Sequence, residues 1–334
     1  MNSKIQEQQK NKREAGIALI AVLCTILVVS LLVASAVAIS QYTAFESSTF
    51  SGISRSFYIA EGAASRVRWL LMSDRRKYPN RKLDSLDTEL DENERFLANS
   101  VIHNLDYYGD KVSFQIEDAS SGIDISRGAP DINLRNLFKD EDDMGEDPEF
   151  SKFCSKVHDY ADSDDLISIN GLEKKGYLEE YELHNLPRNN KLQFTQEIMY
   201  VPGLGNYFSP DEYGRMTSFQ LIPPEKSTNK YGRPSLFSSP VSLIKNKCKL
   251  SDDETEEVKQ ALEKWRNESI PLEESLIPGL KARLLTYFST VESGSYTLVI
   301  KTASKNSPGT TLVCSFYYNP GAKSTFEYHQ FTFY

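Results

Sequence analysis

At 334 residues, 25% charged and 40% hydrophobic, the chain is long enough for one or two packed domains and too apolar for a disordered one. A net charge of -9 without a concentrated basic face excludes a nucleic-acid binder that works by counterion release. Four cysteines with no CxxC pair and no His-Cys cluster exclude a disulfide scaffold and a zinc module.

The first element is apolar. From Gly16 to Ile39 run 24 residues without a charge, and at 1.5 Å of rise per residue they reach about 36 Å, enough to cross a bilayer. Ahead of them Lys4, Lys10, Lys12 and Arg13 outnumber Glu7 and Glu14, so the positive-inside rule keeps the leader cytoplasmic and sends the chain after about Gln41 across the membrane. A cleaved secretory signal shares the basic start and apolar core. The stretch is longer than an ordinary signal core, however, and its end, AVAISQYTAFE, offers a poor small-residue cleavage site.

Beyond the span, Ile53, Phe57, Ala60, Ala64, Val67 and Leu71 recur at spacings of four and three, one apolar stripe on a helix. A helix from Ile17 to about Asp74 would measure on the order of 85 Å, half in lipid and half against a domain. A signal-anchored protein with an amphipathic stalk would carry the same stripe. Polar sequence from Ser73 to about Glu94, broken by Pro79, reads as a surface loop. In KVSFQIED the alternation of Val112, Phe114 and Ile116 predicts a strand, paired as a hairpin with Ile123–Ile125 through a turn at Ser120, Ser121 and Gly122. Far along the chain YTLVIKTA, TTLVCSFYY and FEYHQFTFY predict an antiparallel meander. Between the two strand regions, residues 130 to 289 read as mainly helical, most clearly where Ser251 and Glu254 form a capping box ahead of VKQALEKW. A weak repeat matches DINLRNLF, VHDYADS and YVPGL with RPSLFSSPVSL, LEKWRNES and LIPGL. Each copy is a small helical unit carrying an aromatic, Tyr160 or Trp265, and closing on a Pro-Gly-Leu turn.

The junction EAGIALIAVL resembles the cleavage site of type IV prepilins and type II secretion pseudopilins, and FYIAEGAA, residues 57 to 64, resembles a stretch common among pseudopilins. The resemblance implies cleavage by a prepilin peptidase between Gly16 and Ile17 and methylation of the new amino group on Ile17. Most such proteins carry glutamate at the fifth mature position, here Ala21. One minor member, general secretion pathway protein K, has an apolar residue there. Its insert motifs are similar to DINLRNL, HDYADSDD and QEIMYVPGL, with Tyr160 in place of the usual tryptophan and no recognisable counterpart of the segment that follows Asp165.

That resemblance implies an α+β fold: a leader (1–16), a transmembrane and amphipathic helix (17–74), a pilin-like antiparallel sheet domain (75–129 with 286–334), and a helical insert of two SAM-like units (about 130–225 and 226–285). It implies a single-pass inner-membrane protein with a periplasmic body, a minor pseudopilin at the tip of a fibre that exports folded proteins. A minor pilin of a type IV pilus is the other reading. The partners implied are the I- and J-type minor pseudopilins, the major pseudopilin, the prepilin peptidase and the inner-membrane secretion platform. Asp159, Asp162, Asp164 and Asp165 stand where the family places carboxylates near calcium, a cation that suits clustered hard oxygens.

An enzyme is not expected, since GxSxG, HExxH and GxxxxGK[ST] are all missing from the chain and its four histidines are scattered. The turn IMYVPGLGNYF resembles a DNA-binding hairpin, but Asp211 and Glu212 follow it and nothing basic lies between Gly205 and Arg215. It is expected to be structural, with no nucleic-acid partner. In an oxidising compartment Cys248 is expected to pair with Cys314, closing a loop worth about 4 kcal/mol in the chain-entropy description, with Cys154 buried and inert.

Overall fold

The computed structural model describes residues 2–77, 83, 96–125, 130–138, 147–221, 233–302, 309–318 and 326–334. The first element, α1 (Asn2–Lys77), extends the expected helix at both ends. Ser73–Lys77, expected in a surface loop, form its last turns, and Asp74 and Arg75 there are buried. Of the rest of that loop only Leu83 lies within the described residues, and it is buried.

Five strands form one antiparallel sheet, β1 (Ile102–Tyr107), β2 (Asp110–Asp118), β5 (Ser295–Thr302), β6 (Thr311–Tyr318) and β7 (Phe326–Phe333), in the order β1-β2-β5-β6-β7. The meander of the last three is as the sequence predicts. Its register lines up Ile116, Leu298, Cys314 and Phe331, and beside them Phe114, Ile300, Leu312 and Phe333. With a side-chain period of two, these rows share one face of the sheet. Ala60, Ala63, Ala64, Val67 and Leu71 of α1 pack there, and the alanines let helix and sheet approach closely.

The predicted hairpin is wrong. The partner of β2 on that side is β1, joined to it through Tyr108 and Gly109, whose φ values of 53° and 81° are those of a two-residue type I′ turn. Ile123 and Asp124 (β3) instead pair in parallel with Phe219 and Gln220 (β4) in a separate two-stranded sheet. Alternation tells which face of a strand is buried, not which strand lies beside it.

Because β2 and β5 are neighbours, everything between Asp118 and Ser295 leaves and re-enters the sheet at one place. That segment holds α2 (Pro130–Phe138), α3 (Pro148–Ala161), α4 (Lys174–Tyr181), α5 (Val241–Cys248), α6 (Asp252–Glu268), α7 (Leu272–Ser275) and α8 (Pro278–Tyr287). The capping box is present: Ser251 Oγ accepts from Glu254 N and Glu254 Oε2 from Ser251 N. Tyr160 and Trp265, the two aromatics of the repeat, are both buried in the insert core. Trp265 lies 4.0 Å from Phe237, centroid to centroid, and donates to the Leu83 carbonyl. The two Pro-Gly-Leu segments differ, however. Gly203 has φ 98°, a left-handed turn, whereas Gly279 lies in the first turn of α8. The proposed border between the two units, near residue 225, lies outside the described residues.

Candidate functional site

Three regions bear on function: the apolar part of α1, the buried junction where helix, sheet and insert meet, and the acidic loop after α3. The first is a helix long and apolar enough to cross a membrane, with a mean hydropathy of 2.8 in its most apolar window. Leu19, Leu23, Leu27, Leu32 and Ile39 all stand exposed, as lipid-facing side chains do. Gly16 and Ile17 fall within α1. Further along, Tyr58, Ser65 and Trp69 are exposed at helical spacing while the alanine stripe is buried. This leaves an aromatic face of α1 exposed.

At the junction, Arg75 is buried with a set of partners distant in sequence. Its Nη2 lies 2.5 Å from Glu292 Oε1 and donates to the Phe96 carbonyl, its Nε donates to Tyr296 Oη, and Nη1 pairs with Asp74. Glu292 also accepts from Ala98 N and from Tyr296 Oη, both at 3.0 Å. Burial works against the guanidinium charge, but Glu292, Tyr296 and Asp74 outweigh it and hold Arg75 more firmly protonated than in water. Asp118, at the exit of the insert, accepts from Ser120 N and Oγ on one side and from Ser293 N and Oγ on the other, at 2.6–2.8 Å. Burial pushes its carboxyl upward, opposed by those four bonds. One side chain thus fastens both ends of the insert to the sheet. The sequence reading missed this junction, since its members are up to 221 residues apart.

The acidic loop is only partly what the sequence suggested. Asp159 is buried, and its carboxylate accepts from Ser168 N at 3.1 and 3.3 Å. Gly171 packs so closely that a Cβ there would lie 1.8 Å from Asp159 Oδ2, which requires glycine. Asp164 accepts from Leu166 N, Asp165 pairs with Lys174 and Asn189, and Asp162 lies 3.9 Å from His158. Among the described residues no three His, Cys, Asp or Glu side chains are arranged as a metal-ligand set. The structure adds Glu173 to the cluster. Both its carboxylate oxygens are buried, with the Asn189 side chain as a hydrogen-bonding neighbour. Burial, with Asp159 and Asp162 adding like charge, pushes the Glu173 carboxyl up to about 7.

This shift has a sign. Between about pH 4.5 and 7 the folded chain holds a proton at Glu173 that the unfolded chain has released, so its contribution to stability falls as pH rises across that window. Glu173→Gln should melt roughly 2–4 °C above the parent at about pH 8 with chelator present, and level with it at about pH 4. Equal melting at both pH values would show that Glu173 ionises as an exposed acid does.

Cys248 and Cys314 do not come together. Cys248 ends α5 in the insert core and Cys314 lies in β6 under α1, and both are free thiols. Burial pushes Cys248 to about 11, against Arg283 and Lys247, and Cys314 to about 12, against Arg68. Proximity along the chain had suggested the pair, but the insert carries one partner into a separate core. Cys154 is buried in the insert core, in the same cluster as Phe150 and Phe153.

No family model matches the chain, and no curated protein sequence matches it. Among solved structures it is similar to a chain in the crystal structure of the GspK-GspI-GspJ complex from the enterotoxigenic Escherichia coli type 2 secretion system. The TM-score is 0.54 at 13% identity, over 85% of this chain and 98% of that one. At this identity the likeness establishes the fold: a long N-terminal apolar helix followed by an antiparallel sheet, with mixed helix and strand content.

Proposed function

We propose that this chain is a minor pseudopilin of a type II secretion system, standing at the tip of the pseudopilus to initiate or cap the fibre that exports folded proteins across the outer membrane. The observation that carries this reading is the order of parts along the chain: an apolar helix, then a sheet interrupted between β2 and β5 by a large helical insert, similar to a chain of the GspK-GspI-GspJ complex over 98% of that chain. The junction EAGIALIAVL and Ala21 support it. A carboxylate at position 21 with no ammonium above it would cost about 3 kcal/mol in lipid, so its replacement by alanine suits a topmost subunit. A type IV minor pilin would share the helix, but an insert of this bulk obstructs stacking of another subunit above. On this reading the chain is an assembly protein rather than an enzyme. It is processed by the prepilin peptidase, sits in the inner membrane with its body periplasmic, and works with the major pseudopilin and the inner-membrane platform.

We further propose that a calcium ion is held by Glu173 with its aspartate neighbours rather than by the four aspartates alone. The Glu173 carboxylate is buried, and Asp159 and Asp162 stand close enough to add like charge, a concentration of hard oxygens that a cation would neutralise. Calcium should then raise the melting temperature of the parent and not that of Glu173→Gln.

The partner surface is the exposed side of α1 between Gly52 and Leu71, where Tyr58 and Trp69 stand. Extracted from its own membranes, the full chain should co-purify with the I- and J-type minor pseudopilins, and Trp69→Glu should reduce their recovery about tenfold, equivalent to 1.4 kcal/mol. Co-purification with pilus subunits instead would overturn the secretion assignment.

A further inference from the structure

The loop between α3 and α4 presents three large aliphatic side chains to solvent: Leu166 is 76% exposed, Ile167 65% and Ile169 88%. Among the described residues no neighbouring element covers them, yet the loop backbone is held firmly. Asp159 grips Ser168 N, Asp164 caps Leu166 N, Asn189 binds Asp165 and the Asp164 carbonyl, and Leu172 anchors the far end in the core. An ordered loop that offers contiguous aliphatic surface loses little entropy when that surface is covered.

We propose that residues 162–170 form a docking finger for a protein partner whose surface carries an apolar pocket ringed by lysine or arginine. Charge selects this occupant over a lipid surface. Residues 162–170 carry three carboxylates, Asp162, Asp164 and Asp165, and no basic side chain, and the two lysines that follow are already engaged, Lys174 with Asp165 and Lys175 with Glu179. An anionic membrane would repel this surround, whereas a basic rim would complement it and fix the approach. No basic or aromatic residue stands within the finger to sit at a lipid headgroup layer. The assignment does not depend on the fibre role of α1, since the finger belongs to the insert.

The test places a photo-crosslinking p-benzoylphenylalanine at Ile167 in the full chain, produced in its own host. A second chain carries it at Ile169, and a control carries it at Glu256 on the exposed side of α6. Irradiation of isolated membranes should give a protein adduct from both finger positions and not from the control. The crosslinked peptide should lie in an apolar pocket bordered by lysine or arginine. Raising salt from about 0.05 to 0.5 M should lower adduct yield several-fold, because it screens the rim charges. A lipid adduct, an adduct with a second copy of this chain, a partner peptide without basic neighbours, a yield indifferent to salt, or no adduct at all would each overturn the proposal.

Discussion

Arg75→Ala should destabilise the body by about 3–5 kcal/mol, because it leaves the buried carboxylates of Glu292 and Asp74 without their cationic partner. A loss of that size is a large share of a domain's total stability, so the variant should accumulate poorly and unfold well below the parent in a thermal melt. The triple variant Asp74→Asn, Arg75→Met and Glu292→Gln separates charge from packing, since both buried carboxylates lose their charge with the guanidinium. Glutamine keeps an oxygen for Ala98 N and gains an amide donor for Tyr296 Oη, and methionine fills the guanidinium's volume. Most of the lost stability should return. If the triple variant is no better than Arg75→Ala, the junction is held by the shape of arginine and by its bond to the Phe96 carbonyl rather than by the ion pairs.

Gly16→Val should block maturation. A branched side chain obstructs the extended backbone that a peptidase must hold at the cleaved bond, and a tenfold loss of processing needs only about 1.4 kcal/mol of transition-state stabilisation. In the parent, mass spectrometry of the extracted chain should find an N-methylated Ile17, four basic and two acidic residues having left with the leader. In the variant the leader should remain and secretion should fall with it. An intact leader in the parent, or a cut beyond Ile39, would end the pseudopilin assignment, while normal processing of the variant would show that the peptidase does not read Gly16.

The sequence by itself determined the elements whose signal is local. The membrane-length helix follows from an unbroken apolar run, the helix-sheet contact from a stripe at spacings of four and three, and the start of α6 from the reciprocal cap of Ser251 and Glu254. The last three strands follow from alternation between clear turns. Each of these is written within a few turns or residues of chain.

Tertiary structure alone decided what depends on distant residues meeting. β1 had a weak pattern of its own and is ordered as an edge by pairing with β2, which displaced the expected hairpin. Asp118 joins Ser120 to Ser293 across the whole insert, and Arg75 finds Glu292 and Tyr296 more than 200 residues away. Asp159, Asp162, Asp164 and Asp165 are divided among backbone amides, His158 and Lys174, and the start of α4 brings Glu173 beside them. Cys248 and Cys314 were divided between two cores. Periodicity fixes which side of an element is buried, but which buried side faces which is set by packing and by the need to satisfy buried polar groups, and neither is encoded at short range.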